Sequence, residues 1–383
     1  MSLFDQFIDA AEKTGRSRYE IILEALKLRT SFTRLGFSEY IDFQLYKNDL
    51  TWEQKKSFGG IRTQNILEDI LIDDYSKFLS LDKVTMYSLF DGFCFPIPRI
   101  RATYRSLRPS SILQLKNPSE LEAYLKQPGN TPVYIKRSFG SYGRGNTLVT
   151  SVEGSHVLIG NGRSELISKF VDSFDSGRSL GWMLQDPLKC HSNIFDLTGS
   201  QKISGLRIHT FLTKDSVVPT KAIFKVNVGV RDSDNFEHGA SGNMLAAVDV
   251  ATGRVFRAVA GVGTKQVENP KHPKTGREIV GFEIPYWRET LDLVVNGQKA
   301  FPGFLCPGWD IAICDDGPKI LEINAFGDID LSQHAYRTAF IDDSFVSLLK
   351  SRQLDNLLKA NAKESNKSPL NNRKGIRRHH WQW

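Results

Sequence analysis

The sequence predicts an α+β fold, and three observations carry that prediction. Apolar residues at helical spacing dominate the stretch before residue 126. Short alternating runs joined by glycine-containing turns fill much of residues 132–260. A last hairpin spans Gly308 to Asn324 and ends in polar side chains on one strand face.

The elements follow in order. Phe4, Phe7, Ile8 and Ala11 share a helical face, as do Ile21, Ile22, Ala25 and Leu26. Phe32, Leu35, Phe37, Tyr40, Phe43 and Tyr46 add apolar and aromatic bulk, so residues 1–60 read as a small helical cap or lid packed on the main body, with a partner-binding helix pair as the alternative. Helices are expected from Ile66 to Phe78, from Leu81 to Phe90 and from Ser119 to Lys126, the last capped by Asn117 or Ser119. Phe93 to Pro98 is extended, because residues before proline avoid the helical region.

Pro132 to Lys136 and Thr147 to Thr150 read as strands around the glycine-rich loop Gly140-Ser141-Tyr142-Gly143-Arg144-Gly145. Such a loop lets backbone N–H groups approach anionic oxygens. No helix follows it, so it is neither a Walker loop nor a Rossmann turn. Strands are also expected at Trp182 to Gln185, Gly205 to Leu212, Lys221 to Val230, Ala246 to Val250 and Val255 to Val259. Asn269 to Glu278 is loop by composition. Helices are expected at Tyr286 to Phe301 and at residues 343–360.

In the final hairpin, Ile311 to Ile313 and Ile320 to Ile323 flank the turn Asp315-Asp316-Gly317-Pro318. The period of two puts Glu322 and Asn324 on one face. Fold-back brings Asp310 level with them. Two carboxylates and an amide oxygen suit a hard cation such as Mg²⁺; a solvated polar strand end is the plainer alternative.

Composition bounds the rest. The 383 residues allow two or three domains, with 40% apolar and 24% charged side chains. No stretch approaches the ~18 consecutive apolar residues of a membrane span, and the first residues lack a signal-peptide pattern. Cys94, Cys190, Cys306 and Cys314 have no ligand spacing and read as reduced thiols, which points to a cytoplasmic protein. Residues 363–383 carry five of the seven net positive charges, leaving +2 for the other 362 residues. A general nucleic-acid-binding field is therefore not expected. The tail reads as disordered.

The order of motifs resembles the ATP-grasp superfamily, and more closely the sugar-transfer-associated ATP-grasp proteins, relatives of teichuronopeptide-type ligases. The residues that carry the match begin with Leu81-Asp82-Lys83, Phe95-Pro96-Ile97-Pro98, Lys136 with its Gly140–Gly145 loop, and Gln185-Asp186-Pro187-Leu188. They continue with Gly205-Leu206-Arg207, Asp234-Asn235-Phe236, Val248-Asp249 with Thr252-Gly253-Arg254, His272 to Gly276, Gly308-Trp309-Asp310 and Glu322-Ile323-Asn324. The resemblance runs from about residue 20 to about 350.

It implies two α+β subdomains with antiparallel sheets that clamp ATP. The implied division is a helical region at 1–60, a part at 61–130 containing Lys83, and a core at 131–360. The core splits into a lid at about 131–185 and a large subdomain at about 186–360, and a basic tail covers 361–383. Lys83 and Lys136 would meet the nucleotide phosphates, under the loop of Gly140, Ser141, Gly143 and Gly145. Gln185 would face the adenine amino group, with the backbone of Asp186 and Leu188 on the ring. Arg207 would reach the transferred phosphate or the carboxylate. Asp310, Glu322 and Asn324 would hold one or two Mg²⁺, with Mn²⁺ as an alternative.

Asp234, Asn235, His238 and His272 are candidate substrate contacts. Gly327 and Ser332 are candidate oxyanion donors. Many superfamily members carry an acid after the adenine strand; Lys189 to Asn193 has none, which implies either that His191 or Asn193 substitutes or that nucleotide affinity is lower.

The activity implied is an ATP-dependent carboxylate–amine ligase working through an acyl phosphate. Its partners would be small molecules: an amino acid, a uronic acid or a nucleotide sugar of a cell-surface polysaccharide. A kinase acting on a hydroxyl uses the same site. A non-catalytic nucleotide-binding protein with a basic docking tail is the alternative of another class.

Overall fold

The computed structural model describes residues 2–31, 33–106, 111–140, 145–160, 162–174, 180–229 and 234–356. Helices come first: α1 (Leu3–Thr14), α2 (Arg18–Arg29), α3 (Phe37–Asp42) and α4 (Trp52–Ser57). They enclose a core of their own around Phe7, Tyr40, Tyr46 and Phe58. Gln44 ties this region to the body by donating to the carbonyls of Gly263 and Gln266, each at 2.8 Å. From the body side, Arg337 reaches Asp49 at 2.8 Å and the carbonyl of Phe43.

Next come α5 (Ile61–Leu71), α6 (Asp74–Leu81) and α7 (Lys83–Gly92). The single helix expected from Ile66 to Phe78 is two helices. Asp73 interrupts it, because its carboxylate accepts from the Ser76 N–H at 2.7 Å and caps α6. Asp82 caps α7 in the same way through Thr85.

The first sheet takes β1 (Ile100–Tyr104) and β2 (Leu113–Leu115), then α8 (Pro118–Lys126), which Asn117 caps. It continues with β3 (Val133–Arg137), β4 (Thr147–Glu153), β5 (His156–Ile159), β6 (Ser164–Leu166), α9 (Ile167–Ser173) and β7 (Trp182–Gln185). The strand order is β2-β1-β7-β3-β4-β5-β6, antiparallel except for β1 with β2. Helices α8 and α9 cover it, with Leu121, Leu125 and Phe170 buried against Ile135, Val149 and Leu184.

The second sheet follows α10 (Ser192–Thr198). Its strands are β8 (Leu206–Leu212), β9 (Val217–Val226), β10 (Met244–Val248), β11 (Val255–Ala260) and β12 (Val267–Glu268). After α11 (Trp287–Ala300) come β13 (Gly308–Cys314) and β14 (Gly317–Asn324), then α12 (Ile329–Tyr336) and α13 (Asp343–Ser351). The order β12-β11-β10-β9-β8-β13-β14 is antiparallel throughout.

Alternation sorts the two faces. Ala222, Phe224 and Ala246 pack with Leu293 and Val294 of α11, whereas Ile223, Leu245 and Ala247 pack with Ala335 of α12. Arg207 is the cross-strand partner of Ile223, so it lies on the α12 side. Trp309 is fully buried, and Trp182 and Trp287 also pack in cores. The helix expected to run to residue 360 ends at Ser351, and residues 357–383 lie outside the described residues.

Candidate functional site

Between the two sheets lies a cavity of about 1160 Å³. Lys136, Gln185 and Leu148 line it from the first sheet, and Arg207, Glu322 and Asn324 from the second.

At one end, Gln185 closes β7 with 4% of its surface exposed. Its side-chain oxygen is buried and accepts no hydrogen bond among the described residues. An unpaired buried acceptor is costly, and a donor on a ligand would relieve it. Leu188 also lines the cavity. Asp186 does not: its N–H donates to the Arg99 carbonyl at 2.9 Å, and its carboxylate takes Arg101. His191 turns instead to cap α10, accepting from the Asn193 N–H at 3.0 Å.

Towards the middle, Lys136 is buried on β3. Its amine donates to the Tyr87 hydroxyl at 2.8 Å and lies 4.3 Å from the ring centroid. Burial, then the charge of Lys83, pushes its pKa down to about 7. Lys83 begins α7, and its ammonium donates to the Gly140 carbonyl at 2.6 Å and to Glu322 at 2.9 Å. Gly140 has φ +116°, a conformation that favours glycine, and a Cβ at Gly145 would meet the Trp182 ring at 3.1 Å. Ser141 and Gly143 lie outside the described residues.

On the second sheet one cross-strand row holds Arg207, Asp310 and Glu322, in adjacent strands β8, β13 and β14. Arg207 grips both oxygens of Asp310, at 2.6 and 3.0 Å. Lys225 lies 3.5 Å from Asp310 and 3.2 Å from Asp234. Burial alone would raise the Asp310 carboxyl, but Arg207 and Lys225 hold it far below the usual carboxylate range. Asp310 in turn raises the Arg207 guanidinium against its burial. Asp234 also accepts from the Gly205 N–H at 2.8 Å.

Asn324 donates to the Gly308 carbonyl at 3.2 Å, which leaves its oxygen for a ligand. The donor set is all oxygen, and the register brings Asp310 level with Glu322, as the hairpin predicts. These residue types fit a hard cation. In the structure their charges are balanced by Arg207 and Lys83. Among the described residues, no three His, Cys, Asp or Glu side chains cluster as metal ligands.

Several candidates sit elsewhere. His272 is fully buried away from the cavity; its ring lies 3.3 Å from the Asn227 carbonyl and accepts from the Thr275 N–H, so it pins its own loop. Ser332 is buried in α12 and donates to the Ile329 carbonyl at 2.8 Å. Neither borders the cavity. Gly327 packs edge-on to His209, where a Cβ would come within 2.3 Å of the imidazole. Asn235 and His238 do line the cavity, and His238 lies 3.7 Å from Asp330.

Sequence reasoning missed Tyr87, Lys225, Asp328 and Asp330. Lys225 had a signal: a lysine between Phe224 and Val226 in a strand demands a buried acid. Asp330 lines the cavity, and burial together with Asp328 pushes its carboxyl up to about 6.

A sequence profile described as sugar-transfer associated ATP-grasp matches residues 71–343. The chain belongs to this family. The α+β architecture with two antiparallel-rich sheets is the ATP-grasp fold expected from the motifs. No curated protein matches the chain. Among solved structures it is similar to carboxyaminoimidazole ribonucleotide synthase from Aspergillus clavatus, at 13% identity and TM-score 0.37, over 73% of this chain and 48% of that one. D-alanine–D-alanine ligase from Bacillus anthracis has 12% identity and TM-score 0.38, over 80% and 77% of the two chains. Phosphoribosylamine–glycine ligase from Thermotoga maritima has 14% identity and TM-score 0.41, over 74% and 57%. The chain thus spans about half the length of the first of these. Among the described residues, no helix is long and apolar enough to cross a membrane.

Proposed function

We propose that this ATP-grasp protein is an ATP-dependent ligase that joins a carboxylate to an amine through an acyl phosphate. One observation carries the reading. Lys136 on the first sheet faces the row Arg207–Asp310–Glu322 on the second, Lys83 bonds to the Glu322 end of that row, and the unsatisfied Gln185 oxygen lies at the other end of the cavity. Phosphoryl transfer requires positioning and charge neutralisation rather than a protein nucleophile, and the buried cations lining the cleft support this reading.

In this reading Gln185 accepts from the adenine amino group. Lys136 and Lys83 hold the phosphates under the Gly140–Gly145 loop. Arg207 orients the carboxylate, whose oxygen attacks the γ-phosphorus as the bond to ADP breaks. The amine then attacks the acyl carbon, loses a proton and expels phosphate. Mg²⁺ at Asp310, Glu322 and Asn324 would spread the charge of the transferred phosphoryl group. The substrates we favour are an amino acid together with a uronic acid or nucleotide sugar of a cell-surface polysaccharide, handled in the cytoplasm.

An ADP-release screen over amino acids and uronic acids, with mass spectrometry of products, tests this. Hydroxylamine should intercept the acyl phosphate as a hydroxamate. A phosphorylated hydroxyl product with no hydroxamate would overturn the ligase reading in favour of a kinase.

A further inference from the structure

Tyr87 lies outside every motif that marks the cleft, yet it touches both sides of it. It sits in the middle of α7, fully buried, with its ring packed on Phe90. Its hydroxyl donates to the Leu321 carbonyl on β14 at 2.8 Å, one residue before Glu322. The same hydroxyl accepts from the Lys136 amine on β3 at 2.8 Å. A phenol has one proton to give. With that proton committed to Leu321, the oxygen can only accept from Lys136, so it fixes where the amine points. Among the described residues this is the hydrogen bond that Lys136 makes.

We propose that Tyr87 is a positioning residue: it holds the Lys136 amine at the place where the nucleotide phosphates arrive and sets that place by the register of β14. The inference rests on the nucleotide site of the proposed ligase. A lysine on a flexible four-carbon stem is otherwise a poorly directed charge. The phenol corrects that, and because it bonds to the strand bearing Glu322 and Asn324, cation and carboxylates keep one spacing. Burial and the Glu322 carboxylate push the phenol pKa well up, so the hydroxyl keeps its proton while it does this.

The test is a double-mutant cycle read by calorimetry with a non-hydrolysable ATP analogue. Tyr87→Phe keeps the ring and removes the hydroxyl. It should bind the analogue about tenfold more weakly, the scale of one hydrogen bond to a charged group. In a Lys136→Ala background the same substitution should change affinity less than twofold, because there is no amine left to aim. Adenosine, which probes the Gln185 end alone, should bind both proteins equally.

Additive losses in the cycle, or an equal loss for adenosine, would overturn the proposal and make the hydroxyl a prop for the fold. If Tyr87→Phe does not fold, Lys136→Arg replaces it. That variant keeps the charge but replaces the compact ammonium that the hydroxyl aims with a wider planar fork, so affinity within twofold of wild type would overturn the proposal. A wild type that binds the analogue but makes no amide defeats the ligase reading and leaves this cycle intact.

Discussion

Replacing Arg207 by glutamine separates the fold's need for this residue from the chemistry's. The guanidinium bonds both oxygens of Asp310, with side-chain exposures of 9% and 13%. Removing one partner of a buried pair costs ~3–5 kcal/mol, because the other charge is stranded. Lys225 remains 3.5 Å from the same carboxylate and offsets part of this, so the lower end, about 3 kcal/mol, is expected. Urea unfolding at pH 7 measures it as a shift in midpoint. The double variant Arg207→Gln, Asp310→Asn strands no charge at this position and should regain most of the loss. The pH dependence has a definite sign. In the wild type Asp310 is held far below 3.8, so its stabilisation is present above that value and is lost only as pH falls through the depressed folded one. In Arg207→Gln the carboxyl rises and takes up a proton more readily, so the gap to wild type should narrow between pH 7 and pH 4. ADP formation should fall more than tenfold in both variants. A single variant within about 1 kcal/mol of wild type, or a double variant no better than the single, would refute the stranded-charge reasoning.

Glu322→Ala should abolish ADP formation yet stay folded, since Glu322 is partly exposed and Lys83 keeps its bond to Gly140; near-normal Mg²⁺-dependent turnover would reject the metal role. His209 and His334 are both lowered from 6.5 to about 3, chiefly by burial, so their stabilisation is full above pH 6.5 and is lost as pH falls towards 3. Asp42 and Asp330, raised from 3.8 to about 6, act in the opposite sense over a narrower span. The thermal midpoint should therefore drop between pH 6.5 and pH 4, and a flat profile would reject the neutral buried histidines. Deleting residues 363–383 should leave turnover within a few-fold, and if the tail tethers a polyanion the deletion should also remove salt-sensitive binding worth ~5 counterions; loss of all turnover would place that tail in the site.

The legible parts of the chain were those whose signal is local. The Asp315-Asp316-Gly317 turn and the Glu322/Asn324 alternation specify a hairpin within seventeen residues, and the structure pairs Asp310 with Glu322 accordingly. The expected strand Trp182 to Gln185 and β7 have the same bounds. In contrast, β1 reads Ile-Arg-Ala-Thr-Tyr, with little apolar alternation, although it sits between β2 and β7. Strands β5 and β6 are too short to show a period. Of the candidate site residues, Lys136, Gln185, Glu322 and Asn324 all line the cleft. The Arg207–Asp310 pair spans 103 positions and depends on the β8–β13 register, which no window of sequence contains. His272 belongs to one of the motifs that carry the resemblance and is a candidate substrate contact on that ground, but its ring is buried under its own turn.

The root of the glycine-rich loop is fastened to something other than its own sheet. Lys83 N–H donates to the Ser138 carbonyl, Gly140 N–H donates to Leu81, and Asp82 bridges to Phe139. Around that joint, Leu79, Val84 and Phe90 are packed in the core of the second sheet. Strands β5 and β6, by contrast, pair only along the far edge of the first sheet. The Lys83 and Lys136 end of the cleft is thereby insulated from that edge. Insertions or rewritten sequence at the β4–β5 and β5–β6 turns should be tolerated by the family as raw material for divergence, while a one-residue insertion between Leu81 and Lys83 would be felt at once in the loop.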